Sequence, residues 1–230
     1  MYRQYLKYIC MIKAVLFDMD GTLVNSEKYY IDGTYKWIKR CGFNGDKKEV
    51  SKIIGIKMDE TYEILAKMAN ITIEEAERLN TEYFEKEDPI DYRNYQFEDT
   101  IPTLKKLKEL GIKIGICSMS DDSYIKRCIF QLCLEDYIDY YIGGEGIVNT
   151  KPNPEIWYKA LDTLKLNKDE VIIVEDSPRG IASGINAGIY TCARKDKQFG
   201  LDQSSANCLL DSLEDVVKLV RDKIWMKQSQ

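Results

Sequence analysis

Asp18 and Asp20, two carboxylates separated by one residue, are the side chains in this sequence that point most directly to chemistry. They follow the apolar run Ala14–Phe17, whose shortness and abrupt end predict a buried strand that runs into a loop. Residues i and i+2 of an extended segment point the same way, so both carboxylates can converge on one site. Two like charges held that close repel each other, so either one takes up a proton or a cation lies between them. Either arrangement suits catalysis.

The spacing Asp-x-Asp-Gly also occurs in calcium-binding loops and in turns. A calcium loop needs an acidic or amide side chain at its fifth position and a glutamate at its twelfth. Counted from Asp18, these positions hold Thr22 and Tyr29, which excludes the calcium loop. A turn stabilised by Asx hydrogen bonds stays open for the segment taken alone.

Composition and charge narrow the class of protein. The chain has 230 residues, 44% hydrophobic and 31% charged, as expected of a folded globular protein. Its net charge of −5 argues against a nucleic-acid partner, which basic residues would hold through phosphate contacts. Its apolar stretches fall short of the roughly 18–20 residues that a membrane helix needs, so no membrane partner is expected.

The numbers of cysteines and histidines limit the kinds of chemistry that the chain can perform. Seven cysteines, an odd number without a Cys-x-x-Cys pair, favour free thiols and a cytoplasmic location over a disulfide framework. Cys117 is predicted to lie in the core, and Cys128 and Cys133 are predicted to pack rather than to bind a ligand. The sequence contains no histidine, which excludes Ser-His-Asp triads, Cys-His dyads and histidine metal sites.

The chain divides by pattern into a helical segment and an alternating one. Residues 27–92 lack a strand pattern and carry amphipathic helices, expected at 46–54, 59–69 and 73–87. On either side, over 11–26 and 93–224, short apolar strands and helices indicate one domain with a parallel sheet covered on both faces. Residues 1–10 are expected to be a weakly ordered extension.

In the alternating part, each element has a predicted position. Strands are expected at 112–117, 137–142, 171–174, 189–193 and 209–210. Helices are expected at 102–110, 121–132, 154–164, 178–187 and 213–220.

Four segments beside predicted strand or helix ends carry polar side chains. They are Asp18 with Asp20, Ser118 after strand 112–117, Lys151 before helix 154–164, and Glu175 with Asp176 after strand 171–174. A parallel sheet brings the carboxyl ends of its strands to one edge, so the first, second and fourth segments are predicted neighbours. Acids, one hydroxyl and one lysine gathered there would suit a phosphate ester and a divalent cation.

Each of these residues also has an ordinary structural explanation. Ser118 alone would be a loop hydroxyl, and Lys151 alone a solvated surface charge. Glu175 to Pro178 alone would be a helix N-terminus with Asp176 or Ser177 as its cap. The ordinary explanation is favoured for any one of them, and the functional explanation is favoured for all of them together.

The four segments together resemble the haloacid dehalogenase superfamily of phosphohydrolases. In chain order they read FDMDGTLVNSE, ICSMS, TKPNPEIW and VIIVEDSPRGIASGINAG, and the resemblance covers nearly all of residues 12–222. The most similar branch is the β-phosphoglucomutase-like group with its sugar-phosphate phosphatase relatives. The resemblance implies a Rossmann-like, doubly wound α/β core with an all-helical cap domain inserted at 27–92.

The resemblance also implies a role for each motif residue. Asp18 would be the nucleophile that forms an aspartyl-phosphate, and Asp20 would protonate the leaving oxygen and then deprotonate the attacking water. Ser118 and Lys151 would bind phosphoryl oxygens, and Gly21 would let the backbone turn and present N–H groups to the phosphate. The implied cofactor is Mg²⁺, with ligands from Asp18, Asp176, the main-chain carbonyl of Asp20, and Glu175.

Departures from the family pattern guide the choice of reaction. Asp20 argues against dehalogenase chemistry, which uses neither a metal nor a second acid. Sugar mutases of this branch carry a cap histidine and a cap arginine where this chain has Tyr30 and Met58, with Lys57 beside the latter. A mutase must grip a second phosphate, which arginine does best, so these departures favour a phosphatase. Tyr30 and Lys57 are the candidate substrate contacts of the cap.

The expected function is therefore Mg²⁺-dependent hydrolysis of a small phosphorylated metabolite, a sugar or polyol phosphate. A β-phosphoglucomutase-like phosphosugar mutase is the first alternative. A non-catalytic protein that binds a phosphate ligand is the second, and it is disfavoured because nucleophile, acid, lysine and metal acids are all present. The partner is expected to be a small-molecule phosphoester, and the chain is expected to be a monomer or weak dimer.

Overall fold

The computed structural model describes residues 12–54 and 58–228. The chain forms two compact units: Asn25–Tyr95 is the smaller, and Met1–Val24 with Gln96–Gln230 is the larger. The smaller unit is helical, and the larger combines a sheet with helices.

The larger unit is built on a six-stranded parallel sheet in the order β3-β2-β1-β4-β5-β6. Its strands are β1 (Ala14–Phe17), β2 (Lys113–Cys117), β3 (Tyr140–Ile142), β4 (Val171–Glu175), β5 (Tyr190–Arg194) and β6 (Cys208–Leu210). From β1 the chain winds outward to β3 and then returns to build β4 to β6 on the other side. This confirms the doubly wound sheet, with its change of direction between β1 and β4.

Helices follow the strands in alternation. In chain order the helices are α1 (Ser26–Arg40), α2 (Lys47–Val50), α3 (Met58–Ala69), α4 (Ile73–Glu82), α5 (Thr100–Glu109), α6 (Asp122–Gln131), α7 (Glu155–Leu164), α8 (Pro178–Ala187) and α9 (Asp215–Gln228). The first four belong to the smaller unit. None of the helices in the described part of the chain has the length and apolar character of a membrane span.

The central strands β1 and β4 are buried, and they are apolar except for Glu175 at the end of β4. Every residue of β1 and of β4 is buried, as expected of strands covered on both faces. On one face of the sheet, Leu16 and Ile173 pack in a cluster with Trp157 of α7. Helix α8 starts directly after β4 because Ser177 caps it and Pro178 occupies its first turn, and it ends at the left-handed Gly188.

Several predicted elements differ at their ends. Helix α5 starts at Thr100 rather than at Pro102, because a proline in the first helical turn lacks only an N–H that has no partner there. The predicted helix 46–54 is α2 followed by a 3₁₀ turn, Ser51–Ile53, in a stretch with serine and β-branched residues of low helix propensity. The predicted helix 73–87 changes into a π turn at Tyr83–Glu87.

The described cysteines are free thiols. Cys117 and Cys128 are buried, as predicted. The packing prediction for Cys133 was wrong, because this residue is exposed and follows α6 in a left-handed conformation with φ 52°.

The carboxylate of Asp99, the residue before α5, connects the start of α5 with β5 and with the segment before α9. Its Oδ1 accepts a hydrogen bond from Arg194 (2.9 Å), and its Oδ2 accepts from the Ser212 hydroxyl (2.9 Å) and the Leu213 N–H (2.8 Å). Burial alone would raise the pKa of the Asp99 carboxyl, but these donors outweigh it and hold the pKa below its usual value. The carboxylate is thus bound in its charged form.

We expect Asp99→Asn to lower the free energy of unfolding by about 1 kcal/mol at neutral pH, because the amide turns one acceptor into a donor that faces other donors. A lowered pKa gives stability that is present above about pH 4 and is lost as the pH falls through the folded-state pKa. The difference in the free energy of unfolding between the variant and the wild type should therefore become smaller in acid. Urea unfolding across this pH range measures it.

Asp211→Asn is the matched control. Asp211 pairs with Lys195 at 2.9 Å, but its side chain is 76% exposed, so its loss should change the stability little. Equal effects of the two substitutions would contradict the role given to Asp99.

Candidate active site

The register of the sheet places the ends of three strands level with one another. Phe17 pairs with Ile116 of β2 on one side and with Val174 of β4 on the other. The pairing continues into the loops, since the Asp18 N–H donates to Val174 (2.9 Å) and the Ser118 N–H donates to β3 (3.1 Å). The residues that follow β1, β2 and β4 therefore emerge at one edge.

The ammonium group of Lys151 contacts the ends of all three strands. Its Nζ donates to Asp18 Oδ1 (2.6 Å), to Glu175 Oε1 (2.6 Å) and to the Cys117 carbonyl (3.0 Å). These contacts use the three donors of an ammonium group, and the side chain is 6% exposed. Burial alone would lower the pKa of Lys151, but the carboxylates of Asp18 and Glu175 hold it above its usual value.

Three buried carboxylates lie close together at this site, and two of them accept hydrogen bonds from Lys151. Asp18, Glu175 and Asp176 each place a carboxylate oxygen within 4.8 Å of the other two. Burial raises the pKa of Asp18 well above its usual value, and repulsion from Glu175 and Asp20 adds to this effect, although Lys151 opposes it. The cluster therefore favours additional positive charge, as the sequence predicts.

Two serine hydroxyls hold Asp20. Oδ2 of Asp20 accepts hydrogen bonds from Ser120 (2.6 Å) and from Ser118 (3.2 Å), and the Ser120 N–H donates to the Ser118 hydroxyl (3.0 Å). Ser118 reaches the site as predicted. Ser120 was missed, although it lies two residues beyond Ser118, the same spacing that singled out Asp18 and Asp20.

Two glycines leave room for the acids. A Cβ atom on Gly21 would lie 2.0 Å from Asp176 Oδ2, and one on Gly180 would lie 2.0 Å from Glu175 Oε1. Gly21 also has a φ of +78°. Its own N–H donates to the Val24 carbonyl (2.7 Å), and a contact of the backbone N–H groups of this turn with a phosphate stays a prediction. The turn closes on itself, and the missing side chain of Gly21 leaves space for the carboxylate of Asp176.

Gln203 fixes the main chain of Asp176. Its amide nitrogen donates to the carbonyls of Asp176 (2.6 Å) and Arg194 (2.7 Å), and its amide oxygen accepts from the Asp196 N–H (2.9 Å). No motif or spacing marks this residue, which is one amide in a polar stretch between β5 and β6.

The two predicted substrate contacts belong to the smaller unit. Tyr30 lies on α1 in an aromatic cluster, with ring centroids 5.0 Å from Tyr29 and 5.3 Å from Phe84. Lys57 lies outside the described residues, and so does the side chain of Met58. A contact of Tyr30 or Lys57 with substrate stays a prediction.

Gly180→Ala tests how closely α8 approaches Glu175. The added methyl group would occupy the space of the carboxylate, so either α8 shifts or Glu175 moves away from Lys151. Such overpacking costs about 1–3 kcal/mol, more than the roughly 0.5–1 kcal/mol that alanine gains over glycine in a helix. We expect a net loss in the free energy of unfolding, measured in urea.

Gly146→Ala serves as its control, because a Cβ atom there meets nothing within 4 Å. If both variants were as stable as the wild type, the close approach of α8 to Glu175 would be in error.

Sequence comparison places this arrangement among known proteins. The family model described as haloacid dehalogenase-like hydrolase matches residues 15–194. Pyrophosphatase PpaX of Bacillus thuringiensis (strain Al Hakam) is 27% identical over 217 residues, which cover 92% of this chain and 97% of that protein.

Solved structures share the fold. A subfamily IA hydrolase of the same superfamily from Geobacter sulfurreducens PCA superposes with a TM-score of 0.69 at 22% identity, covering 92% of this chain and 97% of that one. β-Phosphoglucomutase (pgmB) from Clostridium difficile gives a TM-score of 0.72 at 24% identity, covering 96% and 100%. A hydrolase and a mutase thus share this fold, so the fold alone does not select the reaction.

Proposed function

The chain belongs to the haloacid dehalogenase-like hydrolase family, and on this premise we propose that it is a Mg²⁺-dependent phosphatase. It would hydrolyse a small phosphate monoester through a phosphoryl group carried on Asp18. The observation that carries the proposal is the buried cluster in which Lys151 contacts Asp18 and Glu175, with Asp20 and Asp176 at the same sheet edge.

The residues present fit Mg²⁺. The donors are carboxylate oxygens, which this cation prefers. Because these carboxylates are buried, bulk water cannot screen their negative charges from one another. Lys151 supplies one positive charge against the three carboxylates of Asp18, Glu175 and Asp176. Asp18 and Asp176 would hold the ion, with Glu175 within reach and the main-chain carbonyl of Asp20 as a further ligand. When bound, Mg²⁺ supplies positive charge that offsets the negative charge of the phosphoryl oxygens.

Asp18 is the nucleophile in this proposal. Its carboxylate meets a phosphate ester of like charge, and the ammonium of Lys151, 2.6 Å from Oδ1, offsets part of that repulsion. As Asp18 bonds to phosphorus, the bond from phosphorus to the ester oxygen breaks. Positioning and electrostatic stabilisation are most of what phosphoryl transfer requires.

Asp20 moves the protons. It gives a proton to the departing ester oxygen and then takes one from the water that attacks phosphorus. The bond from phosphorus to Asp18 breaks in that second step and releases inorganic phosphate. The hydroxyls of Ser118 and Ser120 hold Asp20 in the orientation that both transfers require.

Two substrate classes follow from different observations. Tyr30 and Met58 replace the histidine and arginine of the mutases, which favours hydrolysis of a sugar or polyol phosphate over phosphate transfer within a sugar. The relatives named pyrophosphatase PpaX favour inorganic pyrophosphate as a second candidate. The same residues would act on it, with phosphate as the leaving group.

Phosphate release from a panel of monoesters and pyrophosphate, with and without Mg²⁺, tests the proposal. We expect Mg²⁺-dependent release from a few members of the panel. Asp18→Asn should lower the turnover number by at least about 10³-fold with the circular dichroism spectrum unchanged, because the amide cannot act as the nucleophile. Asp136→Asn, at an exposed turn, should leave turnover unchanged.

Two outcomes would contradict the proposal. Clear turnover in Asp18→Asn would remove Asp18 as the nucleophile. Isomerisation of β-glucose 1-phosphate without phosphate release, in the presence of trace bisphosphate, would make the protein a mutase.

A further inference from the structure

One face of α8 holds the loop that carries Lys151, here called the lysine loop (residues 150–154). Arg179, Ser183 and Asn186 are four and three residues apart, so they share a face of the helix. Their side chains donate to three successive carbonyls of the lysine loop. The contacts are Arg179 Nη2 and Nε to Lys151 O (2.7 and 3.2 Å), Asn186 Nδ2 to Pro152 O (3.0 Å), and Ser183 Oγ to Asn153 O (2.7 Å).

Trp157 contacts the ammonium group at the other end of the Lys151 side chain. The Lys151 Nζ lies 4.7 Å from the centroid of its ring, within the range of a cation–π interaction. The ring is fully buried, and its Nε1 donates to Ser183 Oγ (2.8 Å). Ser183 therefore links the indole to the lysine loop, and the ring cannot turn without losing this hydrogen bond.

The same helix is continuous with the acids of the site. Helix α8 begins at Pro178, capped by Ser177, directly after Glu175 and Asp176. Glu175 ends β4, Asp176 follows it, and Arg179 in the first turn of α8 holds the Lys151 main chain, so one continuous stretch of chain links two of the acids to the lysine loop. The distance from the ammonium to Glu175 therefore depends on this support at the main chain of Lys151 as well as on Trp157.

We propose that Arg179 and Trp157 are positioning residues for Lys151, which rests on the proposed phosphatase function. Arg179 fixes the lysine main chain, and Trp157 directs the ammonium toward Asp18 and Glu175. A displacement of about 1 Å in a catalytic group can cost about 10²-fold in rate. Arg179 is half-buried, so its substitution should move the lysine without unfolding the protein.

The test combines turnover of 4-nitrophenyl phosphate with crystal structures of the variants. Arg179→Met should lower kcat by about 10- to 100-fold and lengthen the distance from Lys151 Nζ to Asp18 Oδ1. Arg179→Lys, which keeps a positively charged donor group but not the paired guanidinium contact, should recover part of the rate. Arg127→Met, at an exposed site on α6, is the matched control and should leave both quantities unchanged.

Trp157→Phe and Trp157→Leu separate the ring face from the bulk of the residue. Phenylalanine keeps an aromatic face for the ammonium and should retain more activity than leucine. Ser183→Ala leaves the indole ring in place but removes its hydrogen bond and the one to the Asn153 carbonyl, and it should give a smaller loss than the leucine variant. If the leucine variant does not fold, the distance from Lys151 Nζ to Asp18 Oδ1 in Trp157→Phe tests the role of Trp157, and the Arg179 variants test the role of Arg179.

A normal kcat in Arg179→Met, or a lowered kcat with Lys151 in its wild-type position, would overturn the proposal. Failure of the proposed function gives a different result, since the wild type would then release no phosphate from any substrate. In that event the crystallographic position of Lys151 in Arg179→Met still decides whether Arg179 positions it.

Discussion

A buried ammonium shared between carboxylates of adjacent strands is the interaction on which the larger unit's site depends. Removing charged groups from water costs several kcal/mol per ion, and the cost is recovered only with close geometry and complete hydrogen bonding. Lys151 meets both conditions, with Asp18 and Glu175 each at 2.6 Å and a main-chain carbonyl as its third acceptor. Because loss of one partner would leave a buried charge uncompensated, the surrounding structure must hold all three side chains in place.

The sheet and its connections provide that support. The change of direction between β1 and β4 puts Asp18 and Glu175 on neighbouring strands in register, and β2 delivers Ser118 on the other side of β1. Glycines at positions 21 and 180 bring the backbone so close to the acids that a methyl group would collide with them. The site is built from rigid strand ends and one helix start, and the loops are tied to these elements.

The sequence predicts what depends on local pattern. Apolar runs ended by acids located β1 and β4, and the common edge of a parallel sheet then brought Asp18, Ser118 and Glu175 together. The supporting contacts could not be predicted in this way. Gln203 and Arg179 donate to main-chain carbonyls 27 and 28 residues away. Which carbonyls they contact depends on how the loops fold back on the sheet. The periodicity of the sequence does not predict the path of these loops.

The path of the chain beyond a turn or helix was equally out of reach of local pattern. Gly21 was expected to let the backbone turn, and the turn closes on Val24, which accepts a hydrogen bond from the Gly21 N–H. Cys133 was expected to pack because it was assigned to a likely helix, yet the chain leaves the helix there in a left-handed conformation, and the residue is exposed. In both cases the direction of the chain at the turn or helix end decided what the residue contacts.

The central claim is that Asp18 carries the phosphoryl group, and trapping that species tests it most directly. In Asp20→Asn the base that activates water is gone, so phosphoenzyme should accumulate from a substrate with a good leaving group, such as 4-nitrophenyl phosphate. Rapid acid quench followed by mass spectrometry of the peptides locates the group. The account predicts phosphorylation at Asp18, whereas phosphorylation at another residue, or burst release of nitrophenol without a phosphopeptide, would contradict it.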